Sequence, residues 1–199
     1  GGAFVLFLAG IGIRYLAVAL LGVLAGAPAM WLFALHDYQK NRILTLLDPQ
    51  QDKLGTGWNI IQSTTAIGSG GLTGKGWFQG TQSQLDFLPE SHTDFIIAVL
   101  SEEFGFLAVL ALLALYMLIV FRGLAISLAA PSMFGRLLAG TISLTFFLYV
   151  FVNIGMVAGL LPVVGVPLPM ISYGGTSVVT LSIGFGILMA VRSEIDTRG

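Results

Sequence analysis

Four apolar segments, each long enough to cross a lipid bilayer, constrain this chain more than any other feature of its sequence. A membrane-spanning helix needs about 20 predominantly apolar residues, and such segments run over 15–35, 95–121, 137–161 and 172–191. The apolar residues 1–12 are interpreted as the end of a helix that begins upstream, so the chain is expected to be a fragment. Charged residues are 10% of the chain, against about 25% in soluble domains. The sequence therefore predicts an all-α polytopic membrane protein, a helical bundle with four complete spans plus a stub in a single transmembrane domain over 1–199.

The rest of the composition excludes several classes of function. Cysteine is absent, which excludes disulfides, thiolate metal sites and cysteine nucleophiles. The two histidines, His36 and His92, are too few for a histidine-based metal site. The formal net charge of −1 argues against nucleic acid as a partner, and we expect no organic cofactor.

The positions of the arginines predict the orientation of the spans. If the four spans alternate in direction, one side of the membrane receives Arg14, Arg122, Arg136, Arg192 and Arg198. The positive-inside rule makes that side cytoplasmic and discounts long loops. The C-terminus is therefore predicted to be cytoplasmic, and the long polar segment 36–93 to be a large extracytoplasmic loop. Within it, Trp58–Ile61 and Ile67 are expected to lie on the membrane surface as a short amphipathic helix.

The end of this loop holds the leading candidate for catalysis, Asp94. The segment Leu88–Phe95 opens the second span, which places Asp94 near the outer boundary between water and lipid. One interpretation is a capping box, in which Ser91 is the helix N-cap and Asp94 bonds back to the helix start. The functional interpretation is a general base held at the mouth of an apolar cavity. The two roles are compatible.

Two carboxylates interrupt the apolar second span. Glu102 and Glu103 point in different directions on a helix, and carboxylates within a membrane normally face a bundle interior or a cavity. We expect one of them to be structural and bonded to another helix. A proton or ion path is the alternative.

A set of acidic residues provides a candidate cation site. Asp86, Glu90 and Asp94 are spaced four residues apart and could share a hard divalent cation, Mg²⁺ or Mn²⁺. Pro89 makes one continuous helix through all three doubtful, and an ordinary acidic loop is the favoured interpretation.

The glycine-rich segment Gly68–Gly76 resembles a phosphate-binding loop only superficially. Its spacing is one residue short of the Walker A pattern, and Gly76 stands where that pattern needs Ser or Thr. Lys75 nevertheless can supply a point charge to a phosphate. The alternative is a flexible loop with a solvated lysine.

A proline-rich apolar segment precedes the last span. Pro162, Pro167 and Pro169 exclude a regular helix here, and non-helical backbone at membrane depth must be buried by protein or line a cavity. The following Ser172-Tyr173-Gly174-Gly175-Thr176 places backbone N–H groups at a helix start, which is a potential anion site. The alternative is a helix start capped by Ser172, with glycines that allow close packing. Asn153, Gly184 and Gly186 are interpreted as packing residues.

Together these segments resemble the SEDS family, the shape, elongation, division and sporulation proteins that include RodA and FtsW. The resemblance covers nearly all of the chain, and Asn153–Val157 followed by Leu161–Pro167 favours the RodA branch. The matching motifs are His36–Gln39, Ile67–Gly71, Gly74–Gly76, Gly80–Gln84, Leu88–Glu90, His92–Phe95 and Ile171–Gly175.

The resemblance implies a fold and a reaction. The fold is a bundle of ten transmembrane helices, of which this chain would hold roughly the C-terminal half. The reaction is glycosyl transfer on the extracytoplasmic face of the bacterial cytoplasmic (inner) membrane, where lipid II is polymerised onto polyprenyl-pyrophosphate-linked glycan during cell elongation. It implies that Asp94 is the essential aspartate and a class B penicillin-binding protein the partner. The substrate-binding candidates are Lys75, Gln82, Ser83, Glu90, His92, Ser172, Tyr173, Gly174 and Gly175. A lipid II flippase and a non-catalytic scaffold are the alternative functions.

Overall fold

The computed structural model describes residues 13–52, 55–81 and 93–198, and in that part of the chain every regular element is helical. Helix α1 passes directly into a π-helical turn, and a 3₁₀ turn separates α2 from α3. The prediction of an all-α fold is confirmed. The elements are α1 (Ile13–Ala29), the π turn (Met30–Ala34), α2 (Asp37–Leu47), the 3₁₀ turn (Pro49–Gln51), α3 (Thr56–Gly70), α4 (Ile96–Ala129), α5 (Met133–Val157) and α6 (Gly175–Arg198).

Three of the described helices are long and apolar enough to cross a bilayer. They are α4, α5 and the Gly175–Ile195 part of α6, with mean hydropathies of 2.8, 2.0 and 1.6. Large apolar side chains such as Phe121, Phe151 and Met189 point outward on them. Helices that are hydrophobic all round are typical of chains in lipid, where no polar face is needed. Helix α4 also continues to Ala129, beyond the span predicted to end near residue 121.

Aromatic side chains join these three helices in the interior. Tyr116 of α4 contacts Phe146 of α5 edge-on, with ring centroids 5.7 Å apart, and Phe146 lies 5.5 Å from Phe185 of α6. Phe146 is 1% exposed. Edge-to-face pairs at this spacing add to the stabilisation from burial. The three helices therefore share one core, with α4 and α5 in its centre.

Helix α3 packs within the bundle, which corrects the expectation of a helix on the membrane surface. Its buried face carries Ile60, Ser63 and Ala66, and it lies against α4 and the end of α5. The Ser63 hydroxyl donates to the backbone oxygen of Val157 over 2.9 Å. Small side chains at helical spacing let two backbones approach closely in a membrane bundle. The apolar residues of this segment thus contact other helices.

Candidate active site

Asp94 lies in the turn immediately before α4. The helix has Phe95 as its N-cap and begins at Ile96, so Asp94 precedes the helix and is not part of its first turn. The predicted capping box is therefore wrong at Asp94, and Ser91 lies outside the described residues. The Asp94 side chain is half-buried, whereas Phe95 beside it is fully buried. A buried aromatic ring anchors the turn and leaves the carboxylate accessible.

Two buried polar side chains hold the backbone of this turn. The Asn153 amide of α5 donates to the Asp94 backbone oxygen over 2.9 Å and to the Val166 backbone oxygen over 2.7 Å. The Ser172 hydroxyl donates to the Thr93 backbone oxygen and accepts from the Leu168 N–H over 2.8 Å. Hydrogen bonds in a buried, low-dielectric setting are strong and expensive to break. The turn is therefore tied to α5 and to the proline-rich segment.

These contacts assign new roles to two residues. Ser172 was predicted to bind substrate or to cap the last helix, but α6 begins at Gly175. Ser172 is a buried residue, 3% exposed, and its hydroxyl is bonded to backbone groups. The prediction that Ser172 caps the last helix is therefore wrong. The geometry favours a positioning role for Ser172 over substrate contact. Asn153, interpreted from sequence as a packing residue, is fully buried and bridges two segments of the site.

The proline-rich segment lies directly against Asp94. The Tyr116 hydroxyl of α4 donates to the Pro169 backbone oxygen over 2.7 Å and fixes the segment to the bundle. Gly165 has a φ of +79°, and a Cβ at this position would lie 3.3 Å from Oδ2 of Asp94. The left-handed backbone and the close approach both favour glycine. The segment is buried at Pro169 but exposed at Gly165, so protein covers only part of this non-helical backbone.

A cavity of about 270 Å³ opens between α5, the proline-rich segment and the first turns of α6. Its walls are apolar apart from hydroxyl groups, and they include Tyr149, Pro167, Pro169, Thr176 and Thr180. Tyr173 and Gly175 stand exposed at the start of α6, and Gly174 is half-buried. An apolar cavity with a few hydroxyl groups is typical of a site for a small or partly apolar ligand.

The second part of the site is a glycine-rich loop inserted into α4. Gly105 has φ +80° and ψ −177°, which breaks the helix. The backbone oxygens of Glu102 and Glu103 accept from the Lys75 and Gly76 N–H groups, at 3.0 and 2.9 Å. On the other side of the break, Phe106 and Leu107 donate to the oxygens of loop residues 71 and 72. The loop thus satisfies backbone groups that the broken helix leaves without partners.

Glu102 is the side chain that closes this junction. It is fully buried, and its Oε1 accepts from the Lys75 ammonium over 2.6 Å. The Thr81 N–H and hydroxyl also donate to Oε1, at 2.8 and 3.0 Å, and Lys75 donates to the Thr81 hydroxyl over 3.0 Å. We call Lys75, Thr81 and Glu102 the loop latch. Glu102 therefore bonds to a loop, where a partner helix had been expected.

The loop latch changes the interpretation of Lys75. Its ammonium is not fully solvated, because Glu102 and Thr81 engage two of its three N–H donors. Glu103, the neighbouring carboxylate, is half-buried. A functional role of Lys75 toward phosphate, or of either glutamate in an ion path, stays a prediction.

Several predicted site residues lie outside the described part of the chain. They are Gln82, Ser83, Asp86, Glu90 and His92. Of the acidic cation set, Asp94 alone is described, and no group of three potential metal ligands occurs in 13–52, 55–81 and 93–198. Thr81, the last described residue before this segment, belongs to the loop latch. Thr93 and Asp94, the first described residues after it, belong to the turn before α4.

We expect Glu102→Gln to lower the melting temperature of the full-length protein by several degrees. The substitution keeps the shape of the side chain but leaves the partly buried Lys75 ammonium without its counter-charge. Breaking a buried ion pair costs about 3–5 kcal/mol. Lys75→Met combined with Glu102→Gln should recover part of the loss, because no unpaired charge then remains. Thermal unfolding in detergent measures both.

Glu103→Gln is the matched control for this prediction. It makes the same chemical change one residue away, at a half-buried carboxylate. Equal melting temperatures for the Glu102 and Glu103 variants would show that the loop latch contributes nothing to stability.

The chain has close sequence relatives in several bacteria. The FTSW_RODA_SPOVE family model, described as a cell cycle protein, matches residues 1–197. The peptidoglycan glycosyltransferase MrdB of Escherichia coli (strain K12) is 58% identical over 193 residues, which are 97% of this chain and 52% of that protein. The peptidoglycan glycosyltransferase RodA of Treponema pallidum is 39% identical over 178 residues, 89% of this chain and 41% of that protein.

Solved structures share the fold. One chain of a peptidoglycan synthase complex, described for its structural coordination of polymerization and crosslinking, superimposes with a TM-score of 0.75 at 34% identity. The match covers 96% of this chain and 52% of that chain. A crystallised mutant of the rod shape determining protein RodA from Thermus thermophilus gives a TM-score of 0.51 at 34% identity, over 66% of this chain and 40% of that chain. The chain thus spans about half the length of the relatives that it matches.

Proposed function

The chain belongs to the FtsW, RodA and SpoVE family of cell cycle proteins, the SEDS family that its motifs resemble, and on that premise we propose that the full-length protein polymerises lipid II into glycan strands. The names of the MrdB and RodA relatives, both peptidoglycan glycosyltransferases, support this activity. Since the chain spans about half of those relatives, the activity is proposed for the whole protein.

The observation that carries the proposal is the way in which Asp94 is held. Its backbone is clamped by Asn153, and its carboxylate stays accessible beside the proline-rich segment. The hydroxyl of an acceptor sugar is a poor nucleophile, so a base must take its proton as it attacks the anomeric carbon of the donor. Asp94 performs this step in the proposal, and the configuration at the anomeric carbon inverts. Buried hydrogen bonds that fix the turn reduce the reorganisation needed for attack.

The pyrophosphate leaving group needs compensation of its negative charge. Lys75 can contribute through the third N–H of its ammonium or by exchanging its bond to Glu102 for a phosphate oxygen, because Glu102 and Thr81 engage two of its three donors. A divalent cation, Mg²⁺ or Mn²⁺, would supply the same electrostatic stabilisation. Of the three acidic residues predicted to share this cation, the structure describes only Asp94. The cation is therefore a proposal.

The location and partner follow from the same premise. We place the full-length protein in the bacterial inner membrane, with the Asp94 turn on the extracytoplasmic face and the end of α6 in the cytoplasm. Arg122 lies in the C-terminal part of α4 and Arg192 in that of α6, far along these helices from the Asp94 turn. The positive-inside rule places such arginines on the cytoplasmic side, which supports this orientation. A class B penicillin-binding protein is the proposed partner, and the similarity to a chain of a synthase complex that couples polymerization and crosslinking supports it.

A lipid II flippase is the second candidate. The break at Gly105 and the non-helical segment 161–170 are irregular elements within the bundle, and discontinuous helices are typical of transporters. Glu102 gives this candidate little support, because its charge is paired within the loop latch. An accessible carboxylate held in place favours bond formation.

The deciding experiment uses the full-length protein with its penicillin-binding partner in detergent micelles. Purified lipid II and Mg²⁺ are supplied, and the partner's transpeptidase is blocked. Micelles have no second leaflet, so translocation produces no signal, and glycan strands on a gel report polymerisation alone. If an intact complex yields no strands but moves fluorescent lipid II across proteoliposomes, the protein is a flippase and not a polymerase.

A further inference from the structure

We propose that the groove between α4 and α6 binds an anionic phospholipid. The groove has a volume of about 520 Å³, and Arg122 and Arg192 both line it. Its other walls are apolar, with Leu118, Phe185 and Met189 among them. Arg122 is 28 residues along the chain from Asp94, so the groove lies roughly 40 Å from the Asp94 turn along α4. It is therefore separate from the candidate active site.

The charge of the groove identifies its ligand. Two guanidinium groups line it, and no carboxylate is among its lining residues. Guanidinium groups bind phosphate oxygens in a bidentate manner. Arg192 also interacts within the chain, so the proposal assigns the headgroup phosphate mainly to Arg122.

The walls of the groove identify the rest of the ligand. Leu118 and Met189 are 63% and 73% exposed, so the groove opens sideways toward the surroundings of the bundle. The proposal takes those surroundings to be acyl chains of the membrane. A ligand that combines a phosphate with an acyl chain satisfies both parts of the groove, and basic pockets between transmembrane helices are known sites for such headgroups.

The two arginines of the groove also predict selectivity among lipids. Phosphatidylglycerol carries a net negative charge, whereas phosphatidylcholine offsets its phosphate with a quaternary ammonium. An arginine near the membrane surface contributes about five-fold to the affinity for an anionic lipid. The leaflet concerned is the cytoplasmic one if the proposed orientation holds, but binding itself does not depend on that orientation or on the proposed enzymatic activity.

The experiment measures lipid binding by the full-length protein without any activity assay. The protein is titrated with dioleoylphosphatidylglycerol or dioleoylphosphatidylcholine in neutral detergent micelles, and bound lipid is counted by native mass spectrometry. We expect retention of phosphatidylglycerol, and a loss of about five-fold in its affinity in Arg122→Gln. Soluble glycerol 3-phosphate should not compete, because it lacks an acyl chain.

Arg136→Gln is the matched control, since Arg136 is an exposed arginine at the start of α5 that does not line the groove. An equal loss in the Arg136 and Arg122 variants would reduce the effect to general attraction by a basic surface and overturn the proposal. No preference for phosphatidylglycerol in the unsubstituted protein would overturn it as well, as expected if another part of the full-length chain fills the groove.

Discussion

Asp94→Asn in the full-length protein is expected to reduce polymerisation of lipid II by at least about 100-fold, the contribution of a general base at the low end of its range. Asparagine has the same shape as aspartate but cannot take the proton of the acceptor hydroxyl. The contacts that hold the turn are made by the Asp94 backbone oxygen, which accepts from Asn153. Folding should therefore be preserved, with a melting temperature close to that of the unsubstituted protein.

The initial rate of glycan-strand formation measures this effect, in complexes matched for amount and integrity. Asp37→Asn is a suitable control, because Asp37 is an exposed carboxylate in the same predicted loop, at the start of α2. It should retain nearly full activity. If Asp94→Asn keeps more than a tenth of the activity, Asp94 is not the general base.

Gly105→Ala is expected to destabilise the full-length protein by at least about 3 kcal/mol. The backbone at Gly105 lies at φ +80° and ψ −177°, a conformation that is essentially restricted to glycine. A Cβ would also lie 2.3 Å from the Gly74 nitrogen and 2.5 Å from the Leu72 oxygen. Both are backbone atoms that belong to the inserted loop, so neither can move without breaking hydrogen bonds at the junction.

Thermal unfolding and the yield of monodisperse protein measure the Gly105 effect. Gly186→Ala provides the comparison, because Gly186 lies within α6 and a Cβ there would meet nothing within 4 Å. The described part of the chain therefore does not bear out the interpretation of Gly186 as a packing residue. Alanine has the higher helix propensity, so this variant should be neutral or slightly more stable. A Gly105→Ala protein that melts with the unsubstituted protein would mean that the loop is not inserted as described.

The chain's class and the location of Asp94 could be predicted from the sequence because they depend on local patterns. Long apolar segments without charges require a membrane, since a chain with so few polar residues cannot cover a surface in water. Asp94 stands where a polar segment meets an apolar one. The prolines of 161–170 exclude a helix whatever surrounds them. The family motifs then suggested the reaction that we propose for the full-length protein.

The loop latch and the clamp around Asp94 were decided by the tertiary structure alone. Lys75 and Glu102 are 27 residues apart in the chain, and Ser172 and Thr93 are 79 apart. Hydrophobic periodicity reports only which face of one element is apolar, so it cannot show that a loop enters the hydrogen-bond ladder of α4. Gly105, three residues after Glu102 in an apolar segment, was the available signal of a break. The sequence shows only that burying these polar groups costs free energy. The tertiary contacts show which partners offset that cost.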